Sequence, residues 1–519
     1  MHCSRAVAHY LIRAGFCEPG ESANEGVHRG QAPFTRDPQG SARRTGRDMT
    51  DRITPAPRGI AILAAVGPSL IWCAEYIGSG EVILATRTGA LLGTAALWAI
   101  VAAIVLKCII GLAGARWTVI TGEGVIDLFA RLPGPRNWLI WLVLAVQFPA
   151  AIVSIGALAK VSGVFLNSFL PIPHAHGAAI WGLAASLFAL GVAWSGRFDL
   201  LKIVMSTLVM LIIVGVFYVA ALALPPVRDV ALGLVGLVPM EIPAWAPEHL
   251  QARSPWHELL PLMGWAAGGF ASQVWYSYWV LGAGYGSAAG RSWGTPADTR
   301  YLATLGVEEA RQIRGWCRVV RADATLAAVV GVTVTTAFAL AGAGTLRLAH
   351  LVPDGNEVAL TLSQLFSEKW GRFGGVLFLI AGSAAMVSTL IGQLSGWPRL
   401  LSDCLRIVCP PFGRLPWKSQ FRGFLAFFVM TNLVAMVFYG PVKLVQLGSQ
   451  LDGILLTPIQ ALAVFAGFVF VMPRIMPREA WKELRPSRWL LGSLLLAGVV
   501  FGVLAVIVLP RNLAALWGS

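Results

Sequence analysis

After residue 58 the chain is a succession of long apolar runs separated by short polar, mostly basic segments. A helix needs roughly 17 to 25 apolar residues to cross about 30 Å of hydrocarbon. Eleven runs fit: 61–92, 94–115, 137–160, 177–194, 199–223, 257–283, 319–345, 372–395, 421–440, 442–472 and 489–509. Two of them are interrupted. The first contains Gly78-Ser79-Gly80-Glu81, and the sixth contains Gly268-Gly269 followed by Ser272, Gln273 and Tyr276. Broken backbone at membrane depth is tolerated only where protein encloses it or it lines a cavity. The first break therefore marks a candidate binding site, and the second is either its counterpart or a point of close helix packing with interface aromatics.

Runs one to five and six to ten each open on an interrupted helix, and an odd number of spans per unit inverts the second unit relative to the first. This predicts an all-α polytopic membrane protein of the LeuT-like 5+5 inverted-repeat class, with discontinuous helices 1 and 6 and an eleventh transmembrane helix. The expected division is a disordered basic extension over 1–58, a first repeat over 59–223, an outer connecting loop over 224–256, a second repeat over 257–472, and a linker with the last helix over 473–519. Met49 offers an alternative start, with residues 1–48 then untranslated.

Charge supports the same parse. Placing the N-terminus inside, the inner segments carry 30 of the 40 Lys and Arg residues, as cytoplasmic loops should. The expected orientation is N-terminus cytoplasmic and C-terminus outside, in the plasma membrane of a prokaryote. The formal charge of +14 does not signal nucleic acid, because the basic residues are dispersed between apolar runs. Seven cysteines without a C-x-x-C pair give neither a disulfide framework nor a metal cluster. No nucleotide-binding or hydrolytic pattern is present, so the chain reads as no enzyme and implies no cofactor.

Ionisable groups inside apolar runs are costly and mark function. Glu81 begins the resumed first helix, where it serves either as a cap or as an ion ligand. Glu75 lies six residues earlier, facing the cavity or pairing with a base at the inner interface. Lys107 is mid-span and calls for an acidic partner, Glu81 or Glu123, or else loses its proton during transport. Asp323 and Asp452 are candidates for a proton relay. The carbonyls near Gly78, together with Gln273 and Tyr276, complete the expected shell for a cation or small solute. The expected partners are thus membrane lipid, a transported solute and protons, with no nucleic acid.

Gly67-Pro68, Tyr76, Gly80 and Gly89-Ala90 fall in the register of Gly-Pro…Tyr-x-Asp-Pro-Gly-Asn…Gly-Ala, and Ala115-Arg116 through Thr121-Gly122 matches Ala-Arg-x-x-x-x-Thr-Gly. In these residues, and in Ser388-Thr389-Leu390-Ile391-Gly392, the chain resembles the Nramp family of proton-coupled divalent metal transporters. The resemblance spans about residues 60–510 and implies metal transport by alternating access. It also exposes departures. The family's metal-binding Asp aligns with Gly78, its Asn with Glu81 and its methionine with Ala271, so the soft ligand that selects transition metals is absent. The metal ligands implied here are Glu81 and Glu75. If Lys107 neutralises Glu81, the site suits an amino acid or amine instead. A channel or a non-transporting sensor is the remaining alternative.

Overall fold

The computed structural model describes residues 53–222, 224–352, 358–438 and 441–511, and all regular structure among them is helical. The first span is α1 (Pro68–Tyr76) followed by α2, a π-helical turn over Gly80–Ala85 that continues as α-helix Thr86–Leu92. Next come α3 (Leu97–Thr121), the short α4 (Val125–Ala130), α5 (Trp138–Phe169), α6 (Gly177–Trp194) and α7 (Phe198–Leu222). The sixth span is α8 (Trp256–Trp265) followed by α9 (Phe270–Ala283). Then follow α10 (Val307–Ala341), α11 (Val358–Val408, kinked at Gly371), α12 (Trp417–Phe438), α13 (Pro441–Gln450) with its continuation α14 (Thr457–Ala466), and α15 (Arg488–Val503).

Eight helical stretches are individually long and apolar enough to cross a membrane, and they correspond to predicted runs two to five, seven, eight, ten and eleven. Runs one and six are each split into two short halves, so neither half qualifies alone. Run nine is α12, whose 22 residues extend about 33 Å at 1.5 Å per residue. The chain is therefore an integral membrane protein with two five-span units, each opening on a broken helix, and a final helix outside the repeat.

Local chemistry explains the boundaries. Pro68 starts α1, where its missing N–H would be unpaired anyway. Gly122 ends α3 in the left-handed conformation, donating its N–H to the Thr118 carbonyl. Apolar side chains such as Ile203, Met210 and Val214 on α7, and Val499 and Val503 on α15, face outward as a lipid-contacting surface. Large aromatics, Trp72, Trp275, Tyr276, Trp279 and Trp397, fill the interior instead.

Residues before the expected boundary at 58 already pack against the helices. Ile53 is buried, and Trp316 Nε1 on α10 donates to the Thr54 carbonyl at 2.8 Å. The rest of the expected extension, residues 1–52, lies outside the described residues.

Candidate transport site

The first break falls at Ile77-Gly78, where Ile77 leaves the helical region (φ −75°, ψ 88°). Two side chains satisfy the freed backbone: Glu81 Oε2 accepts the Gly78 N–H at 2.9 Å, and Thr389 Oγ1 of α11 donates to the Ile77 carbonyl at 3.3 Å. Glu81 is fully buried, and its second oxygen, Oε1, has no hydrogen-bond partner among the described residues. The hydroxyl of Ser79 is buried and unpartnered as well. Glu81 thus caps the resumed helix with one oxygen and leaves the other free.

The second break turns through Ala267 (φ 58°) and Gly268 (φ 73°), two successive residues in the left-handed region. That conformation is strained for alanine and persists only when its surroundings hold it. Gln273 Nε2 donates to the Ala267 carbonyl at 2.8 Å, and Lys107 Nζ donates to the Gly268 carbonyl at 2.9 Å and to that of Gly264. Asp452 Oδ1 accepts the Ala271 N–H and the Gln147 amide, each at 3.0 Å. Gln273 Oε1 is buried without a partner.

The two breaks meet. A methyl group on Gly268 would approach Tyr76 Cβ at 3.2 Å, and one on Gly80 would approach Trp265 Cβ at 2.9 Å. Ser272 Oγ donates to Glu75 Oε2 at 2.5 Å while accepting Trp72 Nε1 at 2.9 Å. Trp72 in turn stacks on Tyr276, with centroids 4.2 Å apart. Glu75 therefore faces the interior between α1 and α9, and among the described residues it pairs with no base. Glycine at 392 makes room for it, since a methyl there would lie 2.4 Å from Glu75 Cγ.

Several residues expected to bind or relay are engaged in holding helix ends. Asp323 of α10 accepts the backbone N–H groups of Gly67 (3.2 Å) and Ser69 (2.9 Å), the Ser69 hydroxyl (2.7 Å) and the Tyr276 hydroxyl (2.8 Å). It caps α1 from across the bundle, as Asp452 caps α9. Both capping acids belong to the second five-span unit, on its second and fifth spans. Tyr276 is committed to Asp323, so it adds no free oxygen to the expected shell.

The expected partner of Lys107 is corrected by the geometry. Among the described residues it forms no ion pair: its ammonium is satisfied by carbonyls at the negative end of α8, with the Phe501 ring 5.5 Å away. Glu123 is occupied elsewhere. It receives two hydrogen bonds from Arg131, one from Trp117 Nε1 at 3.1 Å and one from the Ala297 N–H at 2.6 Å. No group of three or more His, Cys, Asp or Glu side chains is poised around a common point among the described residues. Glu81 and Glu75 would supply two carboxylates to a metal, with the remaining ligands neutral.

Sequence reasoning passed over two buried ionic ties. Arg87 on α2 binds Glu258 on α8 through Nε (2.8 Å) and Nη2 (3.1 Å), joining the two half-helices on the far side of the breaks. Arg406 on α11 binds Asp127 (2.6 Å) and Asp403 (2.7 Å), and Asp403 also accepts the Tyr278 hydroxyl at 2.7 Å. Arg87 sits inside the first apolar run, and that placement was the available signal.

Two broken helices crossing at mid-bundle within a 5+5 repeat define a LeuT-type fold. A sequence profile of the family described as Natural resistance-associated macrophage protein-like matches residues 69–244, about a third of the chain. Among solved structures, the chain is similar to an Eremococcus coleocola manganese transporter in complex with an aromatic bis-isothiourea compound. That match has 14% identity, 91% of this chain and 92% of that one covered, and TM-score 0.62. It is also similar to Mhp1, a nucleobase-cation-symport-1 family transporter, in a closed conformation with bromovinylhydantoin bound (14%, 88% and 92%, TM-score 0.53). A third similar structure is MhsT in complex with L-phenylalanine (13%, 88% and 99%, TM-score 0.51). At these identities the structures share the fold alone. No curated protein matches the chain in sequence.

Proposed function

We propose that this protein is a secondary transporter that moves a divalent metal cation by alternating access, with Glu81 as the principal ligand. The observation that carries the reading is the free, fully buried Glu81 Oε1 at the first break, beside the equally unpartnered Ser79 hydroxyl. A carboxylate oxygen left unpaired at membrane depth is costly unless it meets a cation during function. The Nramp-like profile over residues 69–244 and the likeness to a manganese transporter support metal as the cargo.

Donors of this kind would favour a hard ion. Glu81 Oε1, Ser79 Oγ, Glu75 and Gln273 Oε1 are all oxygen ligands, and Ala271 stands where the resemblance expects a thioether. Such a set suits Mg²⁺ or Mn²⁺ and gives no advantage to softer metals. Glu75 would be released to the ion if its bond to Ser272 opened. Proton coupling would follow from proton exchange on the same carboxylates when the cation leaves. The inner placement of the N-terminus, suggested by the basic loops, makes the Arg406 cluster cytoplasmic and the Arg87–Glu258 pair external.

The test is uptake by purified protein in liposomes, comparing Mn²⁺ and Mg²⁺ with and without an inward-acid pH gradient. Metal flux that rises with the gradient is the expected result. Absence of flux and of metal binding would favour the organic-solute reading on the same fold.

A further inference from the structure

The cation reading makes no use of Lys107. Its ammonium lies fully buried, on α3, among the carbonyls of Gly264 and Gly268 and beneath the face of Phe501 from the eleventh span. Carbonyl oxygens at a helix C-terminus and an aromatic face are the groups that stabilise a compact monovalent cation. Among the described residues no carboxylate bonds to it directly; Asp452 and Glu81 act on it only through space, and its direct ligands are carbonyls, as those of a bound ion would be. Through Gly268 it also fixes the left-handed turn that the second break requires.

We propose that Lys107 is the resident cation of the second helix break: its ammonium fills a carbonyl-lined monovalent-cation site, so the protein works without Na⁺ or K⁺. The tether has a structural consequence. A diffusible ion could leave and let the break relax, whereas an ammonium on α3 keeps α8 and α9 in fixed relation to the second span. Cation-site chemistry and helix positioning are thereby combined in one side chain. The consequence for transport rests on the reading of the protein as a carrier, but the site itself does not.

Thermal unfolding of the purified protein tests the site directly. Lys107→Ala lacks three methylenes and the ammonium, the atoms of n-propylammonium. The variant should melt lower than wild type and regain at least half of the lost melting temperature with millimolar n-propylammonium, while n-propanol does nothing. Wild type should shift by no more than about 1 °C with either compound, or on exchange of Na⁺ and K⁺ for N-methylglucamine. Lys107→Met, which fills the space without charge, should be destabilised and not rescued. Rescue by propanol as effective as by propylammonium, an alanine variant as stable as wild type, or a wild type that requires Na⁺ or K⁺ would each overturn the proposal. The wild-type ion exchange decides the matter even if both variants fail to fold. Because melting needs no substrate, rescue without any metal flux would leave the site standing and remove only the metal-transport reading.

Discussion

Replacing Asp323 should destabilise the protein more than any comparable change at an exposed carboxylate, because four donors converge on it. An ionised carboxylate has about four lone-pair sites, so this one is saturated. Hydrogen bonds to charged groups contribute about 1.5 to 3 kcal/mol each, and members of one network do not add. Asp323→Ala would also strand the Gly67 and Ser69 N–H groups at the buried start of α1. Taken together, a loss of about 3 to 5 kcal/mol is expected, the range seen when one member of a buried charged network is removed. Tyr276→Phe removes a single bond and should cost about 1 to 2 kcal/mol. In the Asp323→Ala background that cost should shrink, since the hydroxyl keeps only the Val320 carbonyl at 3.5 Å as acceptor. The assay is unfolding of the four proteins of this double-mutant cycle in the same detergent. Asp323→Ala within about 0.5 kcal/mol of wild type, a difference usual for surface substitutions, would refute the capping argument; additive effects would refute the Tyr276 link.

Three further outcomes follow from the same geometry. Glu258→Gln should cost about 1.5 to 3 kcal/mol by replacing the carboxylate that accepts two hydrogen bonds from Arg87 with a neutral amide; thermal unfolding checks this, and a melting temperature equal to that of wild type would refute it. Gly392→Ala should push Glu75 off Ser272, cost about 1 to 3 kcal/mol by overpacking and reduce uptake, with Gly392→Ser no better. Single cysteines placed at residues 414 and 485 should be labelled by an impermeant maleimide only from the cytoplasmic side in intact cells and inverted vesicles. Labelling of both from outside would reverse the orientation.

The eleven spans were legible because a bilayer imposes one constraint, length of apolar helix, that composition satisfies or fails run by run. Even the breaks were visible, although the structure moves the first one or two residues upstream, to Ile77-Gly78. Partner choice was much less legible. Asp323 and Ser69 are 254 positions apart, and Ala271 and Asp452 are 181 apart, so nothing local pairs them. Lys107 shows a second limit. A search for its partner among acidic side chains misses the backbone, yet a helix C-terminus offers unpaired carbonyls to any ammonium that reaches it. Arg87 and Glu258 were lost for a third reason: charges near the ends of apolar runs look like interface residues until packing shows that they meet.

The central claim is that the free oxygen of Glu81 is the cation's ligand, and Glu81→Gln addresses it most directly. Glutamine keeps an oxygen to accept the Gly78 N–H, so the fold should survive with little change in melting temperature. Measured in liposomes under one pH gradient, Mn²⁺ and Mg²⁺ uptake should fall at least tenfold relative to wild type. Undiminished flux through a folded Glu81→Gln protein would contradict the account.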